Sequence, residues 1–315
     1  MIHSYMKRLI FVLIVALGFA ESLPAQNRKI EISYEKDRMG AYTFYCMNTD
    51  FCKYTVEITF TNMQNLILPG SSPYVKEVPP GRSILLVLRP ISEKVTTNFS
   101  YSYTYQRGCM VTRPDTGMVY LIPVKPGNSV SPFRLSEFIL NDKVKRNESF
   151  YGLGFKVNAG DTICAARGGL VISAIDTVLN SFSDIQTSSR ENRIEIMHRD
   201  CSIARYTVIN KTLVEVGDKI TAGDPIAIAG GENYAIGTHF RLIVQYNSGK
   251  VVEDQTNGNR MYKQYRWDYL TLKFFTKEQG ITELTPRQAY IAEHPESIIT
   301  RELTKGEIKK RNKGK

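Results

Sequence analysis

Ala222 to Val244 reads AGDPIAIAGGENYAIGTHFRLIV, and its pattern sets the architecture of the second half of the chain. Pro225–Ala229 and Phe240–Tyr246 are short apolar β segments separated by a glycine turn. Working outward, Val171–Ile175, Arg193–Met197 and Leu213–Val216 repeat the same design of brief β run and glycine turn. From about Phe133 to Val252 the chain therefore reads as a β domain.

The first half is β as well. Tyr54–Phe60 (YTVEITF), Ser83–Leu88 (SILLVL) and Asn98–Tyr105 (NFSYSYTY) alternate or are rich in β-formers, with turns at Pro69–Pro73 and Pro79–Gly81. Short strands punctuated in this way predict a β-sandwich over residues 27–111. Tyr101, Tyr103 and Tyr105 read as a strand face packed on the sandwich core, with a binding strip as the alternative. Residues 112–132, rich in Pro and Gly, read as a linker, 133–252 as the second β domain and 253–315 as a C-terminal extension with a basic tail. Within that extension, Thr285 as cap and Pro286 at the first position predict a short helix to Glu293.

At the other end, Lys7 and Arg8 precede an apolar run, Leu9–Ala20, too short to span a bilayer comfortably. This predicts a signal peptide over residues 1–25, cut after Ala20 or, by preference, after Ala25. The expected location is the periplasm, envelope or exterior, which makes nucleic acid an improbable partner. Export permits disulfides. Of the five cysteines, Cys46 with Cys52 and Cys164 with Cys201 are the candidate pairs, leaving one over. The net charge is +10, and Arg301–Lys315 carries seven Lys or Arg against two Glu. Such a tail is either solvated or drawn to an anionic surface.

Three stretches taken together carry a resemblance. Phe150–Val171 (FYGLGFKVNAGDTICAARGGLV), His198–Ile220 and Ala222–Val244 resemble the lysostaphin/LytM-type zinc endopeptidases that cut peptidoglycan cross-links. The second stretch contains V-E-V-G-D-K-I, a pattern also found in lipoyl and biotinyl carrier domains. A carrier needs a modifiable Lys in a tight hairpin, and this segment offers none. The resemblance implies an antiparallel LytM-type domain with a groove for an extended peptide. The overall expectation is a mainly β protein.

The same resemblance implies that the chemistry is lost. A hydrolytic zinc site needs three lone-pair ligands and an open position for water. The family's His and Asp of H-x-G-x-D and second His of H-x-H fall here on Phe150, Gly154 and Arg241. A further catalytic His falls on Val208, which transfers no proton. His239 survives at the family's catalytic first His of H-x-H, and His198 survives at a position that is not a ligand.

The expectation is a pseudoenzyme without zinc or other cofactor, binding peptidoglycan, a wall hydrolase or another envelope protein. His239 and Arg241, on one face of a strand, are the binding-groove candidates, with Arg241 poised to grip a carboxylate. The alternatives are that Arg241 pairs internally, that the protein is an active zinc peptidase with unconventional ligands, or that it is a structural envelope component.

Overall fold

The computed structural model describes residues 29–110, 113–136, 149–178, 183–185, 190–255 and 261–313, without the side chains of 251–266. The expected signal peptide lies outside the described residues. The molecule is mainly β with antiparallel sheets.

Side chains alternate faces along a strand, so one face of a half-buried strand is apolar. In Tyr42–Asn48 every second residue, Tyr42, Phe44, Cys46 and Asn48, is buried. Its sheet orders Ile30–Lys36, Tyr42–Asn48, Gly81–Pro90 and Leu66–Ile67, and a second sheet orders Tyr74–Val78, Tyr54–Gln64 and Asn98–Arg107. Phe44, Val56, Ile58, Leu85 and Leu88 belong to the core shared by the two sheets. This is the sandwich the sequence implies. Tyr101 and Tyr103 pack against that core, whereas Tyr105 is exposed.

In the second half, one sheet of nine strands among the described residues has a central ladder of Ile203–Thr207, His239–Gln255, Leu153–Lys156 and Ser129–Arg134. A small sheet of Thr162–Cys164, Pro225–Ala229 and Ile209–Thr212 also forms. Ile163 and Ala227 of the small sheet and Tyr206, Phe240 and Leu242 of the large one belong to one core.

Several boundaries differ from the sequence reading. The expected linker, 112–132, supplies Met118, Tyr120, Ile122, Val124 and Val130 to this core. The expected extension supplies Leu270, Leu272, Phe274, Leu284, Tyr290 and Ala292. Both stretches are core because they pair with each other and with the sheet. Val119–Tyr120 runs parallel to Lys273–Phe274, and Tyr290 pairs with Val130.

Pairing of Tyr290 also displaces the helix expected at Thr285–Glu293. Arg287 takes a left-handed φ of 68° there, and its amide donates to the Pro132 carbonyl. Helices form instead at Glu296–Ile299 and Lys305–Lys313. The longer one starts with a reciprocal cap, in which the Thr304 amide donates to Glu307 and the Glu307 amide to the Thr304 hydroxyl.

The cysteines need a parallel correction. The disulfide joins Cys109 to Cys201, while Cys46, Cys52 and Cys164 are buried thiols. Cys46 and Cys52 belong to the sandwich core, and Cys164 is buried at the end of the small-sheet strand Thr162–Cys164. Cys201 has a left-handed φ of 64°, and its amide donates to the His198 carbonyl at 3.0 Å in the turn after Arg193–Met197. The sandwich packs on the larger sheet here, with Ile172, Met197 and Ile203 joining the sandwich core. The bond therefore crosses the seam between the two β units, a proximity that sequence distance conceals.

Candidate functional site

Register brings the key positions together. Leu153–Lys156 and His239–Gln255 are antiparallel neighbours with Gly154 directly opposite Arg241. On the flanking strands, Thr207 also lies opposite Arg241, and Phe133 lies opposite Gly154. Gly154 and Arg241, two of the positions the resemblance singles out, are thus cross-strand neighbours. Phe150 is not part of the cluster: it turns its ring onto Tyr269, with centroids 5.0 Å apart.

Space at this spot is filled by apolar and ionic side chains. A Cβ added to Gly154 would lie 2.1 Å from Cζ of Phe133, so the Phe133 ring occupies the volume into which a side chain at 154 would project. That ring packs 5.7 Å from His239. Arg241 Nη1 donates to Glu191 Oε1 at 2.8 Å, and the Tyr234 hydroxyl donates to the same oxygen at 2.8 Å. The guanidinium lies 5.1 Å from the centre of the Tyr234 ring, within cation–π range. Burial, then the Glu191 carboxylate, raises the Tyr234 phenol, which keeps its proton for that bond.

His239 meets the other side of the cluster, its ring 5.1 Å from Tyr234. It is 0% exposed and Arg241 is 4% exposed. Both contact Tyr234, as the two-residue period of a strand requires. Their burial corrects the groove expectation. Arg241 faces an internal carboxylate and has no open approach for a ligand's carboxylate.

His239 Nδ1 sits 2.7 Å from the Gly237 carbonyl oxygen. A carbonyl only accepts, so Nδ1 carries the proton and Nε2 presents a bare lone pair. Nε2 is buried without a partner. Burial, opposed by the Gly237 bond and aided by the Arg241 charge, pushes the imidazole down to about 4.

Val208, where the resemblance implies a catalytic His, adjoins this cluster across Gly231. A Cβ on Gly231 would lie 2.9 Å from His239 Nδ1 and 3.0 Å from Val208 Cγ1. Val208 itself has φ 62°, a left-handed conformation that a β-branched side chain strongly disfavours. Strain of this kind is typical of positions fixed by function.

The other histidines are structural. His198 Nδ1 donates to the Gly168 carbonyl at 2.8 Å, and burial, with help from Arg167, pushes it down to about 4. His294, which showed no partner in the sequence, bonds the Ile122 carbonyl through Nε2 at 3.0 Å.

The residues present do not fit zinc. Gly154 and Phe150 offer no donor atom, and Arg241 places a permanent cation beside the one free lone pair, on His239 Nε2. Among the described residues no three His, Cys, Asp or Glu side chains form a group able to hold a metal ion.

Comparison with known proteins places this site in a family. Residues 148–256 match the model described as peptidase family M23. They are a peptidase family M23 domain.

The chain is 31% identical over 104 residues to a protein of Buchnera aphidicola subsp. Baizongia pistaciae (strain Bp) named an uncharacterized metalloprotease. That match covers 33% of this chain and 25% of the relative, so this chain spans a quarter of the relative's length. Among solved structures, the catalytic domain of lysostaphin from Staphylococcus simulans is 23% identical, with 38% of this chain and 79% of that one covered and a TM-score of 0.26. The SpoIIIAH–SpoIIQ complex is 18% identical, with 41% and 93% covered and a TM-score of 0.29.

Phe133, Glu191 and Tyr234 are the site residues that sequence reading missed. Phe133 lies before the M23 segment, and Glu191 meets Arg241 across fifty positions of chain. Neither carries a local motif. Their only sequence trace was the arginine at 241, a buried cation that needed an acid from somewhere.

Proposed function

We propose that this is a non-catalytic M23-family protein of the cell envelope that binds peptidoglycan or an envelope partner such as a wall hydrolase, and so acts by recognition rather than cleavage. One observation carries the reading: the Gly154–Arg241 cross-strand pair, where the family resemblance puts two zinc ligands, is closed by the Phe133 ring and the Arg241–Glu191 ion pair. Water activation requires an open metal position, and peptide hydrolysis without it would need another general base and nucleophile. His239 is enclosed, and Val208 replaces the second catalytic His.

Because the old catalytic point is buried, recognition falls to surfaces around it. The β-sandwich, tied to the M23 domain by Cys109–Cys201, provides a second contact surface held in fixed relation to the first.

The test is elemental analysis of protein purified with zinc present, run beside digestion of purified sacculi and a sacculus pull-down. Zinc near zero per chain, no released fragments and retention on sacculi or on a hydrolase is the expected result. Zinc near one per chain with cleavage would overturn the non-catalytic reading.

A further inference from the structure

Residues 301–315 carry seven cations, and the described part of that segment, to residue 313, is held against the domain. Arg311 holds the helix Lys305–Lys313 to the body through Glu296 at 3.3 Å and Asp224 at 4.0 Å. Just before it, Glu302 grips the buried Arg167 through both carboxylate oxygens. The segment is docked at two points, and its Ile308 and Arg311 are half-buried while Lys305, Lys309, Lys310 and Lys313 are exposed. Residues four apart share a helix face, which puts Lys305, Lys309 and Lys313 in one row.

The body extends this row. Arg199, exposed, donates from Nη1 to the Glu302 carbonyl at 3.4 Å just before the helix, and Lys219, also exposed, adds to the positive charge acting on Glu307. The acids that would neutralise such a face are otherwise engaged. Glu302 and Asp200 pair with Arg167, and Asp224 and Glu296 pair with Arg311. Glu307 is committed to the Thr304 cap. Pairing leaves three of these five acids without a cation of their own, against six exposed cations (Lys305, Lys309, Lys310, Lys313, Arg199 and Lys219), so the face keeps a positive excess of three.

From this we infer that the helix Lys305–Lys313, with Arg199 and Lys219, forms a cationic docking face for an anionic phospholipid surface. Lysine is a point charge on a flexible stem, suited to a layer of mobile headgroups that rearrange to meet it. Recognition of a stiff glycan needs a platform of aromatic and amide groups at matched spacing. The exposed side chains of this helix are Lys, Glu, Asn and Thr304 at its cap, with no aromatic among them. Ile308, its single apolar side chain, is half-buried, so the contact is electrostatic, without insertion.

Sedimentation of the full chain with phosphatidylglycerol/phosphatidylcholine vesicles tests this, with pure phosphatidylcholine vesicles and purified sacculi as parallel arms. Binding is expected to the anionic vesicles only and to disappear in high salt. Each lysine removed should weaken partitioning about fivefold. K305E/K309E/K313E should therefore abolish it, while K53E/K94E on the sandwich should leave most of it. Circular dichroism confirms that both variants are folded. No vesicle binding, equal loss in both variants, or stronger binding to sacculi than to vesicles would overturn the inference. None of these readouts depends on zinc or on cleavage, so the inference and the proposed function fail separately.

Discussion

Two buried arginines in the M23 domain, Arg167 and Arg241, solve the same problem in different ways. Arg167 directs Nε and Nη2 at Glu302 and Nη1 at Asp200, with Ser202 at 3.4 Å, so its donor fork is nearly filled. Arg241 has one carboxylate, Glu191, and its buried Nε has no hydrogen-bond partner. A buried charge is tolerable when it is paired and its donors are met. Arg167 therefore reads as a stability element that ties the C-terminal segment to the sheet. Arg241 is half satisfied by hydrogen bonds and rests on the Tyr234 ring.

This contrast orders the expected effects of mutation. Glu191→Ala should have the largest, because it strips Arg241 of the only carboxylate that pairs with it among the described residues. The expected loss is about 3–5 kcal/mol, measured by urea unfolding. A loss under about 1 kcal/mol would mean that Arg241 reaches water, and the two sites would no longer differ as described.

Acid comes next. His198 beside Arg167 and His239 beside Arg241 both titrate near 4 in the folded protein, against 6.5 for the free side chain. The unfolded chain thus takes up these protons first. The stability each neutral imidazole contributes is complete above pH 6.5, falls as pH drops toward 4, and amounts to about 3 kcal/mol per histidine. Thermal unfolding between pH 7 and 4 should show this decline, and H198N and H239N should each remove about half of it.

The smallest of the three belongs to Glu302→Ala. Arg167 keeps Asp200, so the loss should be about 1–3 kcal/mol. Limited proteolysis should then cut the 296–313 segment sooner than in the parent. An effect as large as that of Glu191→Ala would make the two arginines equivalent.

Much of this was legible in the chain. Period-two alternation in Tyr54–Phe60 and glycine turns around Pro225–Ala229 are local signals, and both halves are indeed β. The positions of Gly154 and Arg241 were also readable, because ungapped motif spacing fixes where each falls. Less readable were the roles of residues 118–132 and 270–292. Their prolines and glycines suggest loops, yet Tyr120, Ile122, Phe274 and Tyr290 are core because strands from both stretches pair with partners that sequence cannot specify.

By itself, then, the sequence determined that Phe150 and Gly154 bring no donor atom and Arg241 a fixed cation to the positions where the resemblance implies zinc ligands, since donor atoms belong to residue types. It also determined that the C-terminal end is cationic. Tertiary structure decided what fills the vacated point, which cysteines bond and where the cations face. Phe133 reaches Gly154, and Glu191 and Tyr234 reach Arg241, from three separate segments, and Cys109 reaches Cys201 across the seam between two β units. Such contacts follow from strand register and sheet packing. Those are set by the burial of whole faces, which no local pattern records.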